Sequence, residues 1–471
     1  MSVADLLHQD GHAIVAAVAS GRVTARAVAE AALVAVQAGN ARLGAFTDVT
    51  AARALAEADR VDAQVARGMA PPLAGMPYSV KNLFDVEGVV TRAGSRINRD
   101  NPPASRDAAL VERMAAAGAV LIGAGNMGEY AYDFTGENVH DGASLNPHDP
   151  QRMSGGSSGG SGTSVAAGMV AVSLGSDTNG SIRVPSSFCG LYGLKPTFGR
   201  LTRARSFPFV ASLDHLGPLA RSPRDLAMVF DALQGPDSDD PAQIDRPPVG
   251  GVAALARGAE GLRIAVAGGY FRRQGQGEAN AAVDHVAAAL GVTREVELPE
   301  AARARAAAYL ITTAESSAQH LGRLRSRAAD YDPDTRSRFL TGAMVPAAWY
   351  VQAQRLRSWF RTEMARLFET VDAILAPATP FHALPSGTKT VVLDGVTLPA
   401  RPNIGIFTQP ISFIGLPVVA VPVWLPGAAM PIGVQVIAPA WREDIALAIA
   451  EALHAAGTTA APVAGLSRRA A

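Results

Sequence analysis

The sequence has one cysteine, no net charge and no long apolar run, and each absence removes a class of protein. Cys189 has no cysteine partner for a disulfide or for a metal site, which fits a reducing compartment. It reads as a small buried hydrophobe. The 42 basic and 42 acidic side chains cancel, so bulk charge argues against nucleic acid and against an anionic membrane surface as partners. No stretch of about 20 uninterrupted apolar residues is present; the apolar segment 417–440 is broken by prolines and glycines. The first residues, Met1 to Asp10, are polar where a secretory leader carries an apolar core. The chain therefore reads as a cytoplasmic protein. It also lacks an internal repeat of about 20–50 residues.

What is present is an ordinary globular balance, 48% hydrophobic and 18% charged over 471 residues, enough for a large core. Residues 1–70 read as two or three amphipathic helices forming an N-terminal helical part. From Pro71 to about 460, short apolar runs (76–80, 119–122, 170–174) alternate with helical patterns and Gly/Ser loops. That alternation predicts an α/β fold, a sheet covered by helices. A helix is predicted from Ser222, with Pro223 at its first position, Asp225 closing a capping box and Gly235-Pro236 ending it. Residues 235–261 read as a loop, followed by a strand at 262–267 and long helices near 301–327 and 347–368. Strands at 373–376, 418–423 and 432–437 and a helix at 443–456 complete the core. The tail 461–471 is expected to fray.

Two motifs mislead. Gly123-Ala-Gly-Asn-Met-Gly128 matches the dinucleotide fingerprint after a strand-like run. The second strand and acidic residue that a nucleotide site needs are missing, because 130–149 is polar and rich in turn residues. Gly155-Gly-Ser-Ser-Gly159 matches a nucleophile elbow, but the segment 146–154 ahead of it is polar and holds two prolines. His382 and His454 would have to complete that triad, one between prolines and one on the last helix.

The informative block is Ser154-Gly-Gly-Ser-Ser-Gly-Gly-Ser-Gly162 with Ser176-Asp-Thr-Asn-Gly-Ser-Ile-Arg-Val-Pro185. Apolar runs flank both parts closely, which a flexible linker would not show. Glycines let backbone approach a substrate, and successive N–H groups from Thr178 to Ser181 can converge on one oxygen. A serine hydroxyl needs a neighbouring base, and no histidine lies near either serine in sequence. Lys81, ending the apolar run 76–80, is the candidate, since burial can make a lysine amine neutral. Taken alone, Lys81 reads equally as a solvated charge at a strand edge.

Together, Gly75-Met-Pro-Tyr-Ser-Val-Lys81, Gly155-Gly-Ser-Ser-Gly-Gly-Ser161, Gly175-Ser-Asp-Thr-Asn-Gly-Ser-Ile-Arg-Val-Pro185 and Cys189-Gly-Leu-Tyr-Gly-Leu-Lys-Pro-Thr197 resemble the amidase signature family. The resemblance covers nearly the whole chain. It implies one domain with a central mixed, twisted β-sheet covered by helices on both faces. It also implies a Ser–cis-Ser–Lys triad: Ser181 as nucleophile, Ser157 as bridge after a cis Gly156–Ser157 bond, and Lys81 as base. Bridge and nucleophile stand 24 positions apart, as the family spacing requires. The amides of Thr178, Asn179, Gly180 and Ser181 would form the oxyanion hole, with Asp177 and Arg183 supporting them. Neither cofactor nor metal is called for. Asn179 and Asn82 depart from the Gly and Asp of many members, which bears on substrate choice and leaves the backbone donors unaffected.

Within the family, Asn82, Asn179, Asn146-Pro-His-Asp149 and Thr408-Gln-Pro-Ile-Ser-Phe413 are most similar to 1-carboxybiuret hydrolase-like members. That resemblance implies hydrolysis of a small, nitrogen-rich, carboxylated linear amide with release of ammonia. It also implies a small helical accessory subunit, in a homodimer or a heterotetramer with that subunit; no appended further domain is expected. A carboxylate needs a guanidinium or several donors, and Arg338, Arg401, Tyr132 and Asn403 all stay open as candidates. The alternatives are the glutaminase subunit of a tRNA-dependent amidotransferase and a non-catalytic homologue, the latter disfavoured because all three triad positions are filled.

Overall fold

Alternating apolar runs and amphipathic segments build eleven strands into one mixed sheet in a computed structural model that describes residues 2–465. In chain order the strands are β1 (Phe46–Val49), β2 (Pro77–Lys81), β3 (Val120–Gly125), β4 (Val172–Asp177), β5 (Tyr192–Lys195), β6 (His215–Ala220), β7 (Ile264–Ala267), β8 (Glu295–Val296), β9 (Ala373–Pro377), β10 (Thr390–Leu393), β11 (Val396–Pro399), β12 (Val418–Val423) and β13 (Ile432–Ile437). The large sheet runs β1-β3-β2-β4-β6-β5-β12-β13-β9-β7-β8, and β10 and β11 form a separate hairpin. β2 lies parallel between β3 and β4, whereas β4, β6, β5, β12, β13 and β9 alternate in direction. Every residue of β2, β3, β4 and β6 is buried, the signature of strands covered on both faces. No helix among the described residues is long and apolar enough to cross a membrane.

The structure departs from the sequence reading in particular places. The first 70 residues hold four helices and also β1, which pairs antiparallel with β3 at the sheet edge. Four mixed residues carry no strand signal by themselves; pairing with β3 makes them a strand. A Cβ on Gly123 would stand 2.3 Å from the Asp48 carbonyl oxygen, so this glycine of the false dinucleotide motif admits β1. Ser222 caps its helix by accepting from Asp225 N at 3.1 Å. The Asp225 carboxylate does not return to Ser222; it accepts the Gly11 and His12 amides at 2.7 Å each, satisfying the start of the Gly11–Ala19 helix.

A helix at Pro333–Ala343 separates the two long ones, and a short helix, Gly251–Leu255, interrupts the expected loop. In the expected frayed tail, Val463 is buried and Ala464 N donates to Ala166 O at 2.9 Å; residues 466–471 lie outside the described residues.

Candidate active site

Lys81 ends β2, and the neighbouring parallel strand β4 ends at Asp177, so both face the carboxyl edge of the sheet, where α/β folds hold ligands. Ser157 lies in the segment ahead of the Gly159–Ala166 helix, and Ser181 in the turn between β4 and the Arg183–Cys189 helix. The Gly156–Ser157 peptide is cis. The fully buried Lys81 amine donates to Ser157 Oγ at 2.7 Å and to Ser176 Oγ at 2.8 Å. Burial pushes its pKa down to about 7, against the opposing charges of Asp177, Asp214 and Asp133. No hydrogen bond joins Ser157 to Ser181 here, and Ser181 Oγ has no partner among the described residues. Catalytic contacts of this kind tighten when substrate binds.

The turn carrying Ser181 is held from behind. Asp177 accepts Arg183 Nε and Nη2 at 2.9 Å each, Ser412 Oγ at 3.1 Å and the Ile182 amide at 3.2 Å. Burial alone would raise the Asp177 pKa, but the Arg183 guanidinium holds it well below the usual carboxylate range. Arg183 also reaches Gln435 Oε1 at 2.6 Å and Ser412. Replacing Arg183 by Met would strand a buried carboxylate, so chemical denaturation should show a loss of about 3–5 kcal/mol; unchanged stability would refute this account of the turn.

The same clamp leaves the amides of Thr178, Asn179, Gly180 and Ser181 without an acceptor among the described residues. Gly180 has φ +142°, and a Cβ there would stand 2.2 Å from Thr408 Oγ1, which itself donates to the Asn179 carbonyl at 2.6 Å. Only glycine fits that approach.

Ser181 opens onto a small cavity also lined by Asn179, Tyr132, Tyr309, Thr312 and Arg338. Its volume, about 20 Å³, is the space of roughly one water. The Asn179 side chain donates to Thr312 Oγ1 at 2.9 Å and leaves its Oδ1 without a partner. The hydroxyl of Tyr132 and Nη2 of Arg338 are likewise buried and unpartnered. The Arg338 guanidinium lies 4.1 Å from the centre of the Tyr132 ring, and burial lowers its pKa.

This separates the four candidates for a carboxylate. Arg401 is already matched by Asp133, Asp332 and Asp334, and Asn403 is spent on Arg305 and the Pro399 carbonyl. Arg338 and Tyr132 have donors to spare, in the cavity that holds Ser181.

Asn82 does not reach the cavity. Its Nδ2 donates to Thr47 Oγ1 and Asp48 Oδ2, and its Oδ1 accepts the Arg92 amide; an aspartate there would face Asp48. Cys189 is buried and donates to the Ser154 carbonyl at 3.2 Å, with its thiol pKa raised by burial. Sequence reasoning assigned no role to Ser176 or Thr312. Ser176 lies inside the informative block, beside the strand end that carries Asp177; Thr312, in the Ala301–Arg327 helix, carries no comparable signal.

The family model for Amidase matches residues 27–447. The chain is 52% identical over 447 residues to the AtzE component of 1-carboxybiuret hydrolase from Pseudomonas sp. (strain ADP), covering 94% of this chain and 98% of that protein. It is 36% identical over 460 residues to the GatA-type component of the glutamyl-tRNA(Gln) amidotransferase of Roseiflexus sp. (strain RS-1), covering 92% and 93%. Among solved structures it resembles an inhibitor-bound vestigial protein complex bearing on the origins of an s-triazine catabolic enzyme, with TM-score 0.95 and 50% identity over 96% of this chain and 99% of that one. A bacterial aryl acylamidase of the amidase signature family matches with TM-score 0.87 and 25% identity, covering 96% and 97%.

Proposed function

The chain belongs to the Amidase family, hydrolases of non-peptide carbon–nitrogen bonds, and from that premise we propose that it releases ammonia from a small, carboxylated, nitrogen-rich linear amide of the 1-carboxybiuret kind. The observation that carries this reading is a buried lysine amine hydrogen-bonded to Ser157, beside the unpaired amides of the Ser181 turn.

In this reading Ser181 Oγ attacks the amide carbonyl carbon while its proton passes to Ser157 and the Ser157 proton to Lys81. The developing oxyanion is met by the amides of Thr178 to Ser181, each such donor contributing about 2.7–4 kcal/mol. The proton returns along the same path to the departing nitrogen, ammonia leaves, and water then splits the ester on Ser181 by the same relay. Arg338 and Tyr132, with donors to spare, take the substrate carboxylate.

The amine accepts a proton only when neutral. With its pKa near 7, kcat should fall as pH drops through that value and level off above it. Measuring kcat from about pH 5 to about pH 9 checks this, and a flat acid limb with chemistry limiting the rate would overturn the base assignment.

The test of the function is ammonia release by the wild type, beside Ser181→Ala, on 1-carboxybiuret, biuret, oxamate, malonamide and glutamine. Release confined to the wild type and to carboxylated small amides is the expected result. Turnover of glutamine alone would replace it with the amidotransferase reading, which the relatives at 36% identity represent.

A small helical accessory subunit belongs to this proposal, supported by a structural neighbour that was solved as a protein complex. Native mass measurement would distinguish a homodimer from a heterotetramer with that subunit.

A further inference from the structure

The Lys81 amine has two hydroxyl partners, and the mechanism above uses one. The other, Ser176, stands in β4 one residue before Asp177 and is 4% exposed. It lines a second cavity of about 220 Å³ that runs from buried Ser176, Asp214 and Leu216 to exposed Ala211 and Asp239. Phe209 borders both this cavity and the one holding Ser181. Ser176 Oγ accepts from Lys81 at 2.8 Å, and its own proton has no acceptor among the described residues. The second cavity has room for several waters, whereas the Ser181 cavity has room for about one.

Resting on the proposed function, we propose that Ser176 links Lys81 to water in the second cavity, so that the base exchanges protons with solvent there while substrate fills the Ser181 cavity. The step balances: an ammonium proton passes from Nζ to Ser176 Oγ as the Ser176 hydroxyl proton passes to a cavity water. This leaves a neutral amine, an intact hydroxyl and a hydronium that buffer takes up; protonation of the amine runs in reverse. The groups facing Lys81 make such a route useful. The carboxylates of Asp177, Asp214 and Asp133 all favour its charged form, and Ser157 points toward the closed side. Asp214 itself is engaged by Thr178 Oγ1 and by the Phe209 and Val210 amides, which leaves Ser176 as the hydroxyl between amine and water. Ser176 touches no substrate and is a positioning residue.

The experiment compares kcat and KM across pH for the wild type, Ser176→Ala, Ser176→Thr and Ala211→Trp, the last filling the second cavity from its exposed end. Ser176→Ala should keep KM, lower kcat about tenfold and shift the acid limb to lower pH, because the ammonium form loses an acceptor. Ser176→Thr retains the hydroxyl and should restore both, and Ala211→Trp should lower kcat at unchanged KM. Wild-type kcat and acid limb in Ser176→Ala would overturn the proposal. So would equal losses in the Ala and Thr variants with an unmoved limb, or wild-type kcat in Ala211→Trp. These outcomes are read against an active wild type, whereas failure of the triad itself is read from turnover by a Lys81 variant.

Discussion

Lys81→Met and Ser181→Ala should each lower kcat by roughly 10⁴- to 10⁶-fold, and the double variant should be no worse than either single one, because the two residues serve one proton path. Methionine is the informative replacement for Lys81. It keeps the length of a side chain that is fully buried and removes only the amine. The wild-type amine is costly to bury, as its lowered pKa records, so Lys81→Met should unfold at or above the wild-type temperature while being inactive. Loss of activity with stability retained or gained is the mark of a group kept for chemistry. Single-turnover ammonia release with thermal unfolding on the same samples measures both, and Lys81→Met turning over within tenfold of the wild type would refute the base assignment.

Arg338→Met should raise KM for a carboxylated amide by about 10- to 100-fold, the value of one or two charge-assisted hydrogen bonds, with a smaller change in kcat. An amide of the same size without a carboxylate should be handled no worse than by the wild type. The argument is one of unmet demand. Arg338 Nη2 and the Tyr132 hydroxyl are buried with no partner, and such groups persist where a ligand completes them. Arg401→Met should weaken the fold instead, because its three carboxylate partners would be left facing one another. Equal losses on carboxylated and uncarboxylated amides in Arg338→Met would show that Arg338 holds the cavity wall rather than the substrate.

How much of this was legible follows from where each signal resides. Strands β12 and β13 fall on the residues expected from their apolar runs, because strands buried on both faces must be apolar throughout. β1, β5 and β8 are short and mixed, so what makes them strands is the neighbour that completes their hydrogen bonds. Asp225 looked like a local cap and serves the start of a helix more than 200 residues away in the chain.

The sequence by itself determined the α/β class, the family and the short block from Ser154 to Pro185 in which Ser157, Asp177, Ser181 and Arg183 stand. Those residues are local in sequence, and backbone geometry demands glycine among them, as at Gly180 against Thr408. Only the tertiary structure decided that the Lys81 amine reaches Ser157 across 76 positions, that Ser176 shares that amine, and that Arg338 is free while Arg401 is engaged. Burial, charge pairing and cavity shape are made by parts of the chain far apart in sequence, and one side chain's availability depends on which others fold against it.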